Sequence, residues 1–125
     1  MKQEDKDLLL QDLCGRLPYG VKCSHPYGIG KLESIAKEEH GIDVTFKTPD
    51  DNYYSIDDCK PYLFPLSSMT EEQMDEYDNL KQDIWDKLKD WKCAKLLDWL
   101  NKNHFDYRGL IEKGLAIDAT GLNIY

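Results

Sequence analysis

The chain predicts a small α+β domain in which an antiparallel sheet, or a half-open SH3-like barrel, of four to five short strands spans residues 20–66. Three observations predict it. The apolar spacing changes from helical to alternating and back to helical along the chain, which suits layered α+β rather than alternating βαβ. Turn chemistry punctuates the middle third, and a helix-capping signature opens the last part. We read one domain with an N-terminal helix (1–17), the β region (20–66), and a helical region with a docked tail (69–125).

Each element has its own signal. From Asp7 to Leu17, the residues Leu9, Leu10, Leu13 and Leu17 fit an apolar helical stripe, with Gly15 or Pro18 as its stop. Three strand-like pieces follow, Val21 to His25, Gly28 to Ala36 and Ile42 to Lys47. The last alternates Ile42, Val44 and Phe46, so one face is buried. Pro26-Tyr27-Gly28, Glu39-His40-Gly41 and Pro49-Asp50-Asp51-Asn52 read as turns, which makes the strands sequential and antiparallel. Tyr53 to Ile56 is a fourth piece. Glycines in the second strand permit the sharp bend of a small barrel.

Tyr62-Leu63-Phe64-Pro65-Leu66 reads as an extended apolar connector, because nearby prolines argue against both a helix and a central strand. Thr70-Glu71-Glu72-Gln73 is a capping box that starts a helix, with the glutamates at its positive end. Met74, Tyr77, Leu80, Ile84, Leu88 and Trp91 then recur at three and four. Cys93, Leu96, Leu97 and Leu100 form a second stripe out of register with the first, which predicts a break near Trp91 to Lys95 and a further helix to Lys102. Trp85 and Trp99 lie off both stripes, and a core role is favoured over an exposed one. The final segment predicts a short helix to Lys113 capped by Asn103 or Asp106, with Gly114 left-handed and Leu115, Ala116 and Ile117 docked afterwards. Gly109 inside that helix suggests close approach of another backbone. Tyr107-Arg108 places a guanidinium over a ring or on a carboxylate.

Composition bounds the function. With 125 residues, 41% of them hydrophobic, the chain has material for a real core. Its net charge of −8 and lack of a Lys/Arg cluster oppose direct nucleic-acid binding. The same acidity suits a basic partner, and an acidic DNA-mimic inhibitor is one alternative reading. No apolar run reaches the roughly 20 residues of a membrane span, so a cytoplasmic protein without membrane contact is expected. Cys14, Cys23, Cys59 and Cys93 include no Cys-x-x-Cys pair. Cys23-x-His25, with Cys59 or His40, falls short of the four convergent ligands zinc needs unless the fold assembles them, so no metal or other cofactor is assigned.

His25, His40 and His104 are the only histidines, and each reads as structural. No nucleophile elbow, phosphate loop, dinucleotide fingerprint or zinc-protease motif is present, so no catalytic residue is assigned. Tyr27-Gly28-Ile29-Gly30-Lys31 has the wrong spacing for a phosphate loop, and Asp50-Asp51 and Asp57-Asp58 read as solvated turns rather than a calcium loop.

Two stretches, Lys60-Pro61-Tyr62-Leu63-Phe64-Pro65-Leu66-Ser67-Ser68-Met69-Thr70-Glu71-Glu72-Gln73 and the run from Asn103 to Thr120, carry a resemblance. They resemble a family of short proteins, without assigned activity, of gut anaerobic bacteria and their phages and mobile elements. The resemblance covers about half of the chain and implies a small cytoplasmic protein. The shared residues are mainly core and capping types, so it transfers a fold and no reaction.

The leading expectation is an accessory module acting through protein–protein contacts, as a monomer or weak homodimer. Trp85, Trp99, Glu72, Glu76 and Asp83 on the acidic helical region are its candidate partner-binding residues. The alternative is a small-molecule-binding protein or minor enzyme with a pocket between sheet and C-terminal tail, with Cys59, His104, Tyr107 and Arg108 as candidates.

Overall fold

Helix α1 (Gln3–Arg16) leads through a 3₁₀ turn (Leu17–Tyr19) into five strands: β1 (Lys22–His25), β2 (Gly28–Glu38), β3 (Gly41–Phe46), β4 (Tyr53–Ser55) and β5 (Lys60–Pro65). Helices α2 (Glu71–Lys87) and α3 (Asp90–Lys102) and the two-residue strands β6 (Phe105–Asp106) and β7 (Ile117–Asp118) complete the chain. This computed structural model describes residues 1–47, 52–87 and 90–125, and the side chains of 83–93 lie outside the description.

The α+β class and the antiparallel sheet are as the sequence predicts. The strands form one open, mostly antiparallel sheet in the order β4-β3-β2-β1-β5-β6, with β7 also on β5. The first four make a meander, and a 3₁₀ turn at Ile56–Asp58 returns the chain so that β5 pairs back on β1.

Strand β2 is shared between two neighbours. Its first residues pair with β1 and its later ones with β3, and a register shift between Leu32 and Ser34 accompanies the change of partner. Gly30 makes the close packing possible: a Cβ there would lie 2.8 Å from the Cβ of Phe46, a separation that real side chains do not tolerate. The core gathers Leu9 and Leu13 of α1, Val21, Leu32, Val44, Phe46, Ile56, Leu63 and the tail residues Leu110, Leu115 and Ala116.

Four details differ from the sequence expectations. First, α1 lies within the expected 1–17 but runs through Gly15, and its innermost face is Leu9, Asp12, Leu13 and Arg16, with Leu10 and Leu17 only partly buried. Second, the apolar connector is a strand with neighbours on both sides, antiparallel β1 and parallel β6 and β7. Each neighbour pairs with β5 over two residues, so no continuous ladder demands the N–H groups that Pro61 and Pro65 lack. Third, α2 ends at Lys87 and α3 starts at Asp90, ahead of the expected break, and the join itself at 88–89 lies outside the described residues.

The fourth is the segment after Asp106, which forms turns in place of a short helix. Asp106 still caps it, accepting the backbone N–H groups of Arg108, Leu110 and Ile111 with its carboxylate. Gly114 is left-handed as expected, at φ 74°. Gly109 serves conformation, not close approach: its φ is 73°, and a Cβ there would meet nothing within 4 Å. The expected docking of Leu115, Ala116 and Ile117 appears as two buried residues followed by β7 on β5.

Candidate functional site: the helical hairpin and the polar network at its base

Helix α2 starts where its capping box dictates. The Thr70 Oγ1 accepts the Gln73 backbone N–H at 3.2 Å, and the Gln73 side chain accepts the Thr70 N–H at 2.9 Å. α2 and α3 then lie antiparallel, because Glu76 and Tyr77 near the start of α2 meet Trp99 near the end of α3. α2 packs chiefly on α3, whereas α3 also touches β6 and α1. The hairpin is thus attached to the body through the last turns of α3, where Leu100 and Asn101 are buried.

No described side chain of α2 is fully buried. Its apolar stripe is covered on one side, leaving Tyr77 and Leu80 half-buried and Met74 41% exposed, while Leu97 of α3 is 42% exposed. Around Met74 stand the exposed carboxylates of Glu71, Glu72 and Asp75. The α2 sequence holds seven carboxylates against two lysines, five of the chain's net eight negative charges.

Trp99 belongs to the hairpin's own packing. Its indole N–H donates to the Glu76 carboxylate at 2.7 Å, and its ring stacks on Phe105 with centroids 5.6 Å apart. Glu76 is therefore engaged by Trp99, whereas Glu72 is exposed. Trp85 and Asp83 lie outside the described side chains.

At the base of the hairpin sits a buried polar network that the sequence did not reveal. Arg16 donates its Nε–H to Asp12 at 2.7 Å and an Nη2–H to the Phe105 carbonyl at 2.6 Å, tying α1 to β6. The other Asp12 oxygen accepts Arg108 Nη1 at 3.0 Å. Arg108 also donates to the Tyr107 hydroxyl, which donates to the Asn101 side-chain oxygen of α3. Both guanidinium groups lie over the Tyr107 ring, at 5.3 Å for Arg16 and 4.7 Å for Arg108. Arg108 thus uses both options its neighbourhood offered, a ring and a carboxylate. Asp12 and Arg16 are fully buried, and such a pair is maintained by multiple hydrogen bonds.

The four pocket candidates do not share one place. Tyr107 and Arg108 belong to the network just described. His104 stacks on Tyr125, with ring centroids 3.7 Å apart and planes within 10°. Its pKa is lowered to about 4, first by burial and then by the nearby Arg16 and Lys22 cations. Cys59 lies buried beside the Ile56–Asp58 turn, its thiol donating to the Ser55 carbonyl at 3.5 Å, and burial followed by the Asp58 charge pushes its pKa up to about 12. Cys23 is likewise raised by burial, so both thiols are held in the unreactive protonated form.

The other sequence candidates have structural surroundings. His25 packs against both Phe46 and Tyr54, at 4.8 Å from each in a three-ring cluster, and His40 meets Asp43 at 2.8 Å. Among the described residues no three His, Cys, Asp or Glu side chains converge as metal ligands, and no helix is long and apolar enough to cross a membrane. Tyr107 borders a shallow groove of about 350 Å³ with Pro65, Leu66, Asp106 and Ile111. A second groove, of about 310 Å³, runs between α1 and the β2–β3 turn over Leu10, Ile42 and Ile56, rimmed by both Lys6 and Asp57, which pair with each other at 3.3 Å.

Signals for the network were present but unreadable alone: Asp12 and Arg16 are spaced one helical turn apart within an apolar run, a pattern shared by exposed i,i+4 pairs. Comparison of the chain with protein-family models, curated proteins and solved structures gives no match.

Proposed function

We propose that this protein is a binding module whose α2–α3 hairpin docks on a basic protein partner. The observation that carries the reading is the half-covered apolar face of the hairpin: Met74 of α2 and Leu97 of α3 stay exposed, while the last turns of α3 attach the hairpin to the body. A helix with an apolar stripe gains stability by burying it, and here α3 supplies one side of the cover. The carboxylates of Glu71, Glu72 and Asp75 around Met74 select for Lys- and Arg-bearing surfaces and speed the encounter. The capping box, the Trp99–Glu76 bond and the buried network at the base hold the hairpin in a fixed presentation, which lowers the entropic cost of docking. On this reading the chain is accessory cargo of a phage or mobile element, in keeping with the resemblance of its two motifs.

The test compares proteins captured by the tagged wild type with those captured by a Met74→Ser, Leu97→Ser double variant, with folding verified by circular dichroism. A partner that the wild type retains at low salt, that high salt weakens, and that the folded variant loses supports the proposal. A partner retained equally by both overturns it.

A further inference from the structure

The segment after β7 closes on the body in an unusual way. Left-handed residues at Gly121 and Asn123, with φ of 77° and 54°, turn the chain back so that Tyr125 reaches the sheet. The Tyr125 hydroxyl donates to the Tyr62 carbonyl of β5 at 2.7 Å and accepts the Lys22 backbone N–H of β1 at 2.9 Å. The Lys22 ammonium donates to the Ile124 carbonyl at 2.7 Å. The ring of Tyr125 lies flat on His104 and 5.9 Å from Phe64.

His104 is itself held under constraint. Its φ is 61°, its carbonyl accepts the Phe64 N–H of β5 at 2.8 Å, and its Nδ1 is buried with no protein partner. The charges reaching it from the surrounding elements are cations, Arg16 from α1 and Lys22 from β1. The neighbouring carboxylate of Asp12 is occupied by Arg16 and Arg108. A neutral imidazole suits this place; an imidazolium, with a buried unpartnered N–H between two cations, does not.

We propose that His104 and Tyr125 form an acid-released clasp: proton uptake by the half-buried imidazole breaks its stack on Tyr125 and frees residues 121–125 from β1 and β5 while the core stays folded. The imidazole gains its proton from solvent and turns out to water, leaving the segment with only its contacts to Lys22 and Tyr62, which no longer hold it in place. The released ring uncovers Phe64, the first of a run of rings that continues through Phe105 and Trp99 to Tyr77 of α2. Clasp and hairpin base are joined by this run, so opening the first loosens the support of the second.

The test is an NMR titration of the full chain, following the His104 ring and the amide heteronuclear NOEs of residues 121–125. The expected result is a His104 midpoint near the folded value of about 4, with the tail amides losing order at the same midpoint and the amides of Val44 and Leu63 unchanged. In His104→Phe, which keeps a ring to stack but takes up no proton, the tail stays ordered across the range. A Tyr125→Leu variant supplies an independent check, with a tail mobile at neutral pH and a His104 midpoint that climbs towards about 6.5. The proposal is overturned if the wild-type tail stays ordered after His104 is protonated, if the core unfolds with it, if His104→Phe releases the tail at the wild-type midpoint, or if Tyr125→Leu leaves the His104 midpoint unmoved.

Discussion

Arg16 donates to Asp12 one turn earlier on the same helix, at 2.7 Å, with both side chains wholly excluded from solvent. The pair sits where α1, β6 and the Tyr107–Arg108 turn meet, so a helix, a strand and a turn share one electrostatic junction. Buried ions owe this arrangement to mutual compensation, and removing one partner exposes the cost of the other.

Asp12→Ala strands two guanidinium groups, one of them fully buried. It should lower unfolding stability by about 3–5 kcal/mol in urea titrations. The double variant Asp12→Leu, Arg16→Met should recover most of that loss, because it removes both buried charges and Arg108, already partly exposed, can turn to solvent. Equal destabilisation by the single and the double variant would contradict the electrostatic account of the junction.

Gly30 and Gly109 predict different costs for the same substitution. Gly30→Ala drives a methyl group into Phe46 and should cost about 1–3 kcal/mol through overpacking. Gly109→Ala meets no neighbour and should cost about 1 kcal/mol through its left-handed backbone alone. Thermal unfolding of the two variants separates them, and equal losses would contradict the overpacking account of Gly30.

Stability should fall as the pH is lowered from about 6.5 to 4. The unfolded chain's His104 takes up its proton near 6.5 and the folded one near 4, so the unfolded state binds more protons across this window. After allowance for its partial exposure, the imidazole contributes about 1–2 kcal/mol to that loss. Urea midpoints at several pH values, compared between wild type and His104→Phe, isolate this contribution from that of the carboxylates. Equal slopes in the two proteins would sink the assignment.

Trp99 makes two separable contacts, one to Glu76 of α2 within the hairpin and one to Phe105 of β6 on the body. Trp99→Phe keeps a ring over Phe105 but loses the bond to Glu76, at a cost of about 0.5–1 kcal/mol given the exposure of that bond. Trp99→Ala removes both and should cost about 2 kcal/mol or more. Near-ultraviolet circular dichroism alongside urea unfolding checks the order, and a Trp99→Ala variant as stable as Trp99→Phe would contradict it.

Much of this architecture was legible in the sequence because local chemistry and tertiary fold agree there. The alternation of Ile42, Val44 and Phe46, the capping box at Thr70 and the left-handed Gly114 all appear where the pattern placed them. What stayed hidden depends on partners distant in sequence. Pro61 and Pro65 argue against a central strand until the two-residue pairings of β6 and β7 are known. Asp12 and Arg16 look like a surface ion pair until Phe105 and Arg108, about ninety residues on, close over them. The candidate site was half legible: the acidic character of α2 is plain, but Trp99 faces Phe105 and the exposed apolar residues are Met74 and Leu97. An off-stripe tryptophan on a helix packed from two sides carries no sequence mark that tells inward from outward.

The measurement that bears most directly on the hairpin as docking element places a photo-crosslinking amino acid at position 74 in one protein and at position 113, on an exposed turn remote in sequence, in another. The account predicts that irradiation in lysate of the native cell joins one partner to the protein carrying the probe at 74, that excess wild-type protein competes it away, and that the probe at 113 captures none of it. Equal capture from both positions, or capture from 113 alone, would contradict the assignment of the α2–α3 hairpin as the contact surface.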